Sequence, residues 1–322
     1  VMKAFKLLLL ILILVSGSYL SIADTLEPVY LTYFRATKKA RVLALNGEYD
    51  ASIRLLRTTF EQFDFEYARD CIHGVEIAAI DNNDSALKYF MVCAMKRGVP
   101  FSFFQEHAAL NSYAGKPFWQ TLEERSARLY EKYLEGINQD IRNEVNEMFL
   151  EDQAIRKRYY SWYNFPIRPF IHRKWKSLNK AQVARMLEIT EKFGFPGERL
   201  IGIDPDQFHE NISPTQFSAG FPIVIFIHHY SQPNVSQDST LFQQMVLGYL
   251  YNEHFACIRD FQVRFGRGKY TVDGTYALRQ LRDMSLEKPV MERRENIGLL
   301  QSEEMTLLKA SGILSPFWFR LY

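Results

Sequence analysis

NGEYDASIRLLRTTF, residues Asn46–Phe60, decides the fold class. Asn46-Gly47 stops one helical pattern, because this pair tolerates the left-handed backbone that ends a helix. Asp50 opens the next, its carboxylate suited to accept from the free N–H groups of a first turn. Beyond it, Ile53, Leu55, Leu56 and Phe60 fall on one helix face and do not alternate as strand residues would. The same punctuation repeats outward. Tyr33–Leu45 is periodic before it, Phe65–Ala79 after it closes on Asp81-Asn82-Asn83-Asp84, and Ser85–Arg97 stops at Gly98 and Pro100. The chain is therefore expected to be mainly α, with helical hairpins in its first half.

A shift of 34 residues superposes Ser52 on Ala86, Leu56 on Phe90 and Thr59 on Cys93. Gly47-Glu48-Tyr49 sits where a repeat turn belongs, and Ala86-x-x-x-Phe90 matches a repeat helix. Over Thr32–Gly98 the chain thus resembles tetratricopeptide repeats. The resemblance implies a peptide or protein partner bound by the N-terminal helices, since such arrays bind more often than they catalyse. Phe118–Met148 then reads as one long, charged, solvated helix joining two units.

The 322 residues are 47% hydrophobic and 24% charged, a globular composition with room for two domains. Val1–Asp24 carries Lys3 and Lys6, an apolar run Leu7–Val15, and the small-x-small site Ser21-Ile22-Ala23. That is the layout of a secretory signal peptide, so an exported, periplasmic or cell-surface bacterial protein is expected. The expected organisation is a signal peptide at 1–23, a repeat-like helical domain at 24–150 and a compact helical domain at 151–322. Without Lys3 and Lys6 the formal charge is zero, which gives no support to a nucleic-acid partner. Residues 24–151 hold 15 basic and 20 acidic side chains, and 152–322 hold 22 and 17, so the halves are expected to dock through opposite excess charge. Three cysteines, Cys71, Cys93 and Cys257, read as buried thiols and exclude a disulfide framework.

From Gln153 to Leu187 there is no Asp or Glu, but nine Lys or Arg and seven aromatic residues. The first reading places these rings in the core with the charges toward the acidic half. The alternative makes 153–187 a platform for an anionic glycan or lipid surface.

Further signals follow in order: Asp152-Gln153-x-x-Arg156 at a helix start, and a helix at Lys180–Lys192 preceded by Ser177-Leu178-Asn179. Gly194-Phe195-Pro196-Gly197 forms a turn before Ile201-Gly202. An apolar run then ends in His228-His229, followed by Asp260 and by Asp273-Gly274-Thr275-Tyr276. Over Glu151–Ala277 this set resembles the bacterial family known as domain of unknown function 6624. The resemblance implies a domain without implying an activity. It leaves open which of His228 and His229 is the family's histidine. The family's Asp-Arg pair is Asp260-Phe261 here.

Imidazole titrates near neutrality and ligates metals, so His228 and His229 are the leading candidates for chemistry, with Asp152, Arg156 and Asp260 beside them. Adjacent histidines on a helix diverge by about 100°, so a divalent metal would need partners from elsewhere, His254, Glu253, Asp260 or Asp152, with His229 and His254 the expected ligands. Asp152 and Arg156, at i and i+4, also suit an ordinary helix ion pair. No metalloprotease, nucleophile-elbow or phosphate-loop motif is present. The leading expectation is a binding or interaction module. The alternative is a hydrolase centred on His228 and His229, favoured by a concave pocket on which three or more of His228, His229, His254, Asp152 and Asp260 converge.

Overall fold

A computed structural model describes residues 29–205, 217–229, 235–266, 271–278 and 285–315; the expected signal segment lies outside them. Among the described residues the fold is helical, with no strand. Helices α1 (Val29–Leu45), α2 (Tyr49–Gln62), α3 (Ala68–Ile80) and α4 (Asp84–Lys96) pack as two successive hairpins. Gly47, at φ +83°, turns the chain between α1 and α2. Asn83 caps α4 by accepting the Ala86 N–H at 3.0 Å. All six residues related by the 34-residue shift are buried. The hairpins thus turn equivalent sequence positions to the core. Cys71, Cys93 and Cys257 are free and buried.

Helix α5 (Phe101–Glu106) and a 3-10 turn lead into α6 (Pro117–Gly136) and α7 (Gln139–Tyr160). The single helix expected over Phe118–Met148 is therefore two. Gly136 stops α6, and Asn138 caps α7 by accepting the Ile141 N–H at 3.0 Å. The surrounding charges masked those two signals. Neither helix is a solvated connector, since Trp119, Leu122, Val145 and Phe149 are buried. Asp152 consequently lies inside α7 and not at a helix start. The junction at 150/151 also falls within α7, and one cluster of buried apolar residues runs from Tyr30 to Leu314.

α8 (Arg168–Phe193) begins well before Lys180, opened by Pro169 in its first turn. It ends at Gly194 as expected, with φ +91°. The Phe195-Pro196-Gly197 turn packs against Tyr249, whose ring and carbonyl occupy the space a Cβ would need at Gly194 and Gly197. Then come α9 (Glu198–Ile201), α10 (Phe221–His228), α11 (Val235–Val246), α12 (Asn252–Gly266), α13 (Lys288–Asn296) and α14 (Ser302–Ser311). α10 is buried at every residue from Phe221 to Ile227, as a helix apolar on all sides must be. It packs on α7, α8 and α12, with Phe149 and Phe221 stacked at 3.9 Å.

The halves meet through polar contacts, buried on the arginine side at Arg41 and Arg69 and exposed on the acid side at Asp64 and Glu295. Arg41 and Arg69 face Glu253 at 3.6 and 3.4 Å. Lys38 pairs with Glu295, and Arg199 with Asp64. Most of these pairs put the cation on the first half, opposite to the bulk excess. Contacts shorter than a Debye length of about 8 Å answer to their immediate neighbours and not to net charge. The rings of 153–187 also depart from the first reading. Tyr160, Trp162, Tyr163, Phe165 and Phe170 are 62–83% exposed, while Tyr159 and Trp175 are half-buried.

Candidate functional site

α7 and α8 form a long hairpin, and the C-terminal end of α10 abuts it. There the imidazole of His228 lies between two residues of α7. Its Nδ1 is 2.6 Å from Oδ2 of Asp152, and its Nε2 is 2.6 Å from Nη1 of Arg156. Arg156 can only donate, so Nε2 carries the lone pair and Nδ1–H donates to the carboxylate. That fixes one tautomer of a neutral ring. Asp152 and Arg156, one helical turn apart, therefore meet through His228.

The Asp152 side chain is fully buried and that of His228 is 3% exposed. Asp152 also accepts from Trp175 Nε1 at 3.1 Å and from Gln153 Nε2 at 3.0 Å. Three donors satisfy a carboxylate that would otherwise be costly to bury. Burial holds the His228 pKa below its ordinary value; Asp152 opposes that shift and Arg156 adds to it. His229 follows at the end of α10, half-buried, its pKa lowered by burial and by Lys180.

A cavity of about 270 Å³ opens beside this arrangement, lined by His172, Trp175, Lys176, Asn179, Lys180, His228 and His229. Five of these occupy one face of α8 at i, i+3, i+4, i+7 and i+8. Sequence reasoning missed that stripe because it started the helix at Lys180. The spacing was the available signal. Asn179 is 3% exposed, and neither its Nδ2 nor its Oδ1 has a hydrogen-bond partner in the structure. An amide buried without partners costs about 1–3 kcal/mol, which a bound group facing the cavity would recover.

Of His228, His229, His254, Asp152 and Asp260, only His228 and His229 line the cavity; Asp152 reaches it through His228, and the other two lie elsewhere. Asp260 accepts from Thr275 Oγ1 at 2.7 Å, Tyr276 N at 2.6 Å and Leu278 N at 2.8 Å. It therefore anchors the Asp273-Gly274-Thr275 turn and does not line the cavity. Burial raises its pKa, against the pull of those donors. His254 is 3% exposed, packs edge-on to Tyr251 at 5.8 Å and is absent from the cavity lining, so it does not join His229 there. Among the described residues no group of three or more His, Cys, Asp or Glu side chains is placed to hold a metal ion.

The fold and site together define an all-helical protein with a buried carboxylate–imidazole–guanidinium chain beside a basic cavity. No family model, curated protein or solved structure matches the chain.

Proposed function

We propose that the protein is an acid–base enzyme of the hydrolase type, acting on a small anionic substrate in the α7–α8–α10 cavity. One observation carries this reading: a buried carboxylate holds a neutral imidazole at the wall of a cavity lined by Lys176 and Lys180. A neutral ring has a lone pair to take a proton, and a carboxylate on its other nitrogen stabilises the imidazolium that forms. Without a ligand that lone pair is held by Arg156. An anionic substrate competes for the guanidinium and releases Nε2. His228 then takes a proton from water as the oxygen attacks, and returns it to the leaving group as the substrate bond breaks.

Under the resemblance to the domain of unknown function 6624 family, the Asp152-Gln153-x-x-Arg156 step and a distant histidine would be its shared groups. Here Asp152 and Arg156 bond to His228, which supports reading His228 as that histidine. Export to the periplasm or cell surface, from Val1–Asp24, is part of the same proposal. A cavity that binds an anion without turnover is the second reading, favoured by the guanidinium on Nε2.

The test is a panel of small anionic esters, amides and phosphomonoesters, assayed with the parent protein, His228→Gln and Asp152→Asn. The enzyme reading expects turnover in the parent, reduced by about 10²-fold or more in His228→Gln with an unchanged helical spectrum. Turnover that survives His228→Gln sinks it. Saturable anion binding without turnover by the parent transfers the cavity to the second reading.

A further inference from the structure

The five most exposed large apolar side chains among the described residues gather at the tip of the α7–α8 hairpin. It consists of Tyr160, the 3-10 turn Trp162–Ile167 and the first residues of α8. Trp162 is 83% exposed, Phe165 71%, Phe170 68% and Ile167 45%. The hairpin's other end is fixed in the body through Val145, Phe149, Val183 and Met186, all buried. The turn packs on the two helices it joins. Large rings left in water at a protruding tip mark an interaction surface, because ordinary folding would have covered them.

The charges say which partner fits. Lys157, Arg158, Arg173 and Lys174 flank the rings and are exposed, and no acid occurs from Gln153 to Leu187. Arg168 lies over Phe165 at 5.3 Å and over Tyr159 at 5.8 Å, which orders the base of the tip. Trp and Tyr settle at the boundary between headgroups and acyl chains, and clustered Lys and Arg are attracted to anionic lipid. A protein partner would be expected to meet some acidic complement, and a glycan would use the rings by stacking without any apolar depth. We propose that the hairpin tip docks on an anionic phospholipid bilayer, inserting Trp162, Phe165 and Phe170 while the flanking cations contact the headgroups. Because α8 rises 1.5 Å per residue, this places the cavity residues His172–Lys180 within about 15 Å of the inserted ring of Phe170 along the helix axis.

The experiment uses the full chain with vesicles of phosphatidylcholine alone or mixed with phosphatidylglycerol, some brominated along the acyl chain. Brominated lipid should quench the fluorescence component that Trp162→Phe removes, and should do so only in the anionic vesicles. Trp162→Ser/Phe165→Ser should lose roughly tenfold or more of its partitioning into them while keeping its helical spectrum. Reading Trp162 directly separates the tip from any affinity of the N-terminal apolar run, which both proteins keep. An unquenched Trp162, equal quenching in the zwitterionic vesicles, or unchanged partitioning of the double variant overturns the proposal. So does capture of the tip by a sulfated glycan or by a second copy of the chain in place of lipid.

Discussion

Two of the polar regions among the described residues, the contacts between the halves and the α7–α8–α10 site, are built on opposite terms. Between the halves, Asp70 accepts from Tyr33 at 3.0 Å and from Tyr251 at 3.3 Å, Arg41 and Arg69 share Glu253, and Glu76 accepts from His107 and Ser315. The space left among them is about 20 Å³, room for one water at most. At the α7–α8–α10 site the cavity is about 270 Å³ and a buried amide has no partner. Arg41 Nε and His107 Nδ1 are unpartnered in the first region as well, so what separates the two is room: groups packed around space for one water fix a structure, whereas a polar cavity can take a ligand. The exchange of contacts between the halves also occupies α1, which packs on α11, α13 and α14.

The contrast breaks first, and hardest, at Glu253. Glu253→Ala leaves Arg41 and Arg69, both under 6% exposed at the side chain, facing a lost carboxylate. Urea melts should show a loss of about 3–5 kcal/mol, the cost of orphaning buried charge. Lys180→Ala, at the exposed rim of the cavity, should cost about 0.5 kcal/mol or less. Equal losses at the two sites would erase the distinction between them.

Glu198 gives the next largest effect. It is buried and accepts the Ala68 N–H at 2.6 Å across the interface of the halves. Burial pushes its pKa from 4.5 up to about 8, against the pull of Ala68, Arg97 and Arg69. With the folded pKa above the unfolded one, the native state holds the proton that the unfolded chain releases between those values. Stability from this group is complete below about pH 4.5 and falls as pH rises through about 8, by at most about 1.4 kcal/mol per unit. Glu198→Gln keeps the acceptor and cannot ionise, so its melts should lack that component of the pH slope and exceed the parent's at pH 9. A parent and variant with parallel profiles would mean that the carboxylate is not buried as described.

Much of this architecture is legible in the sequence. The helices around Asn46-Gly47 and Asn83 follow from stop and cap residues, and the Gly194–Gly197 turn from glycine and proline. What escaped detection depends on tertiary contacts. The break at Gly136–Asn138 was hidden among charges, and the buried face of α6 is sparse because Trp119, Leu122, Leu129 and Tyr133 do the packing. The site was half visible. His228, Asp152 and Arg156 are recognisable by type, but their bonding depends on α10 crossing α7, which no local pattern encodes. Asn179 looked like a residue preceding a helix. Only the earlier start of α8 turns it, with His172, Trp175, Lys176 and Lys180, into a cavity face.

Asn179 tests that face at smaller cost. Replacing it with Leu removes two unpartnered polar atoms from a buried position, so the unliganded protein should gain about 1 kcal/mol, or about 2 °C in melting temperature. The same change should abolish anion-dependent stabilisation. A variant that loses stability without ligand would show that the amide has structural partners and that the region is another closed network.

The smallest expected effect is the most specific to the carboxylate–imidazole–guanidinium chain. Burial depresses the His228 pKa, Asp152 raises it and Arg156 lowers it further. Asp152→Asn keeps one acceptor oxygen, which can still take Nδ1–H, while removing the charge and giving up the bond from Trp175 to the other oxygen, so the pKa should drop further. For a histidine depressed in the folded state, the unfolded chain protonates first as pH falls below about 6.5, and stability is lost from there down through the folded pKa. Asp152→Asn lowers the bottom of that window, adding a few tenths of a kcal/mol or more to the acid-side loss below pH 6. Ring nitrogen shifts of His228 in a pH titration measure the pKa directly, and the Trp175 indole N–H resonance reports whether the surrounding packing survives. A pKa that stays put or rises in Asp152→Asn, with Trp175 unmoved, would mean that the carboxylate does not act on the imidazole, and the proposed proton transfer would lose its support. A further drop, with the ring still in its Nδ1–H form, would show that burial and Arg156 keep His228 neutral while Asp152 holds up the basicity that a proton acceptor needs.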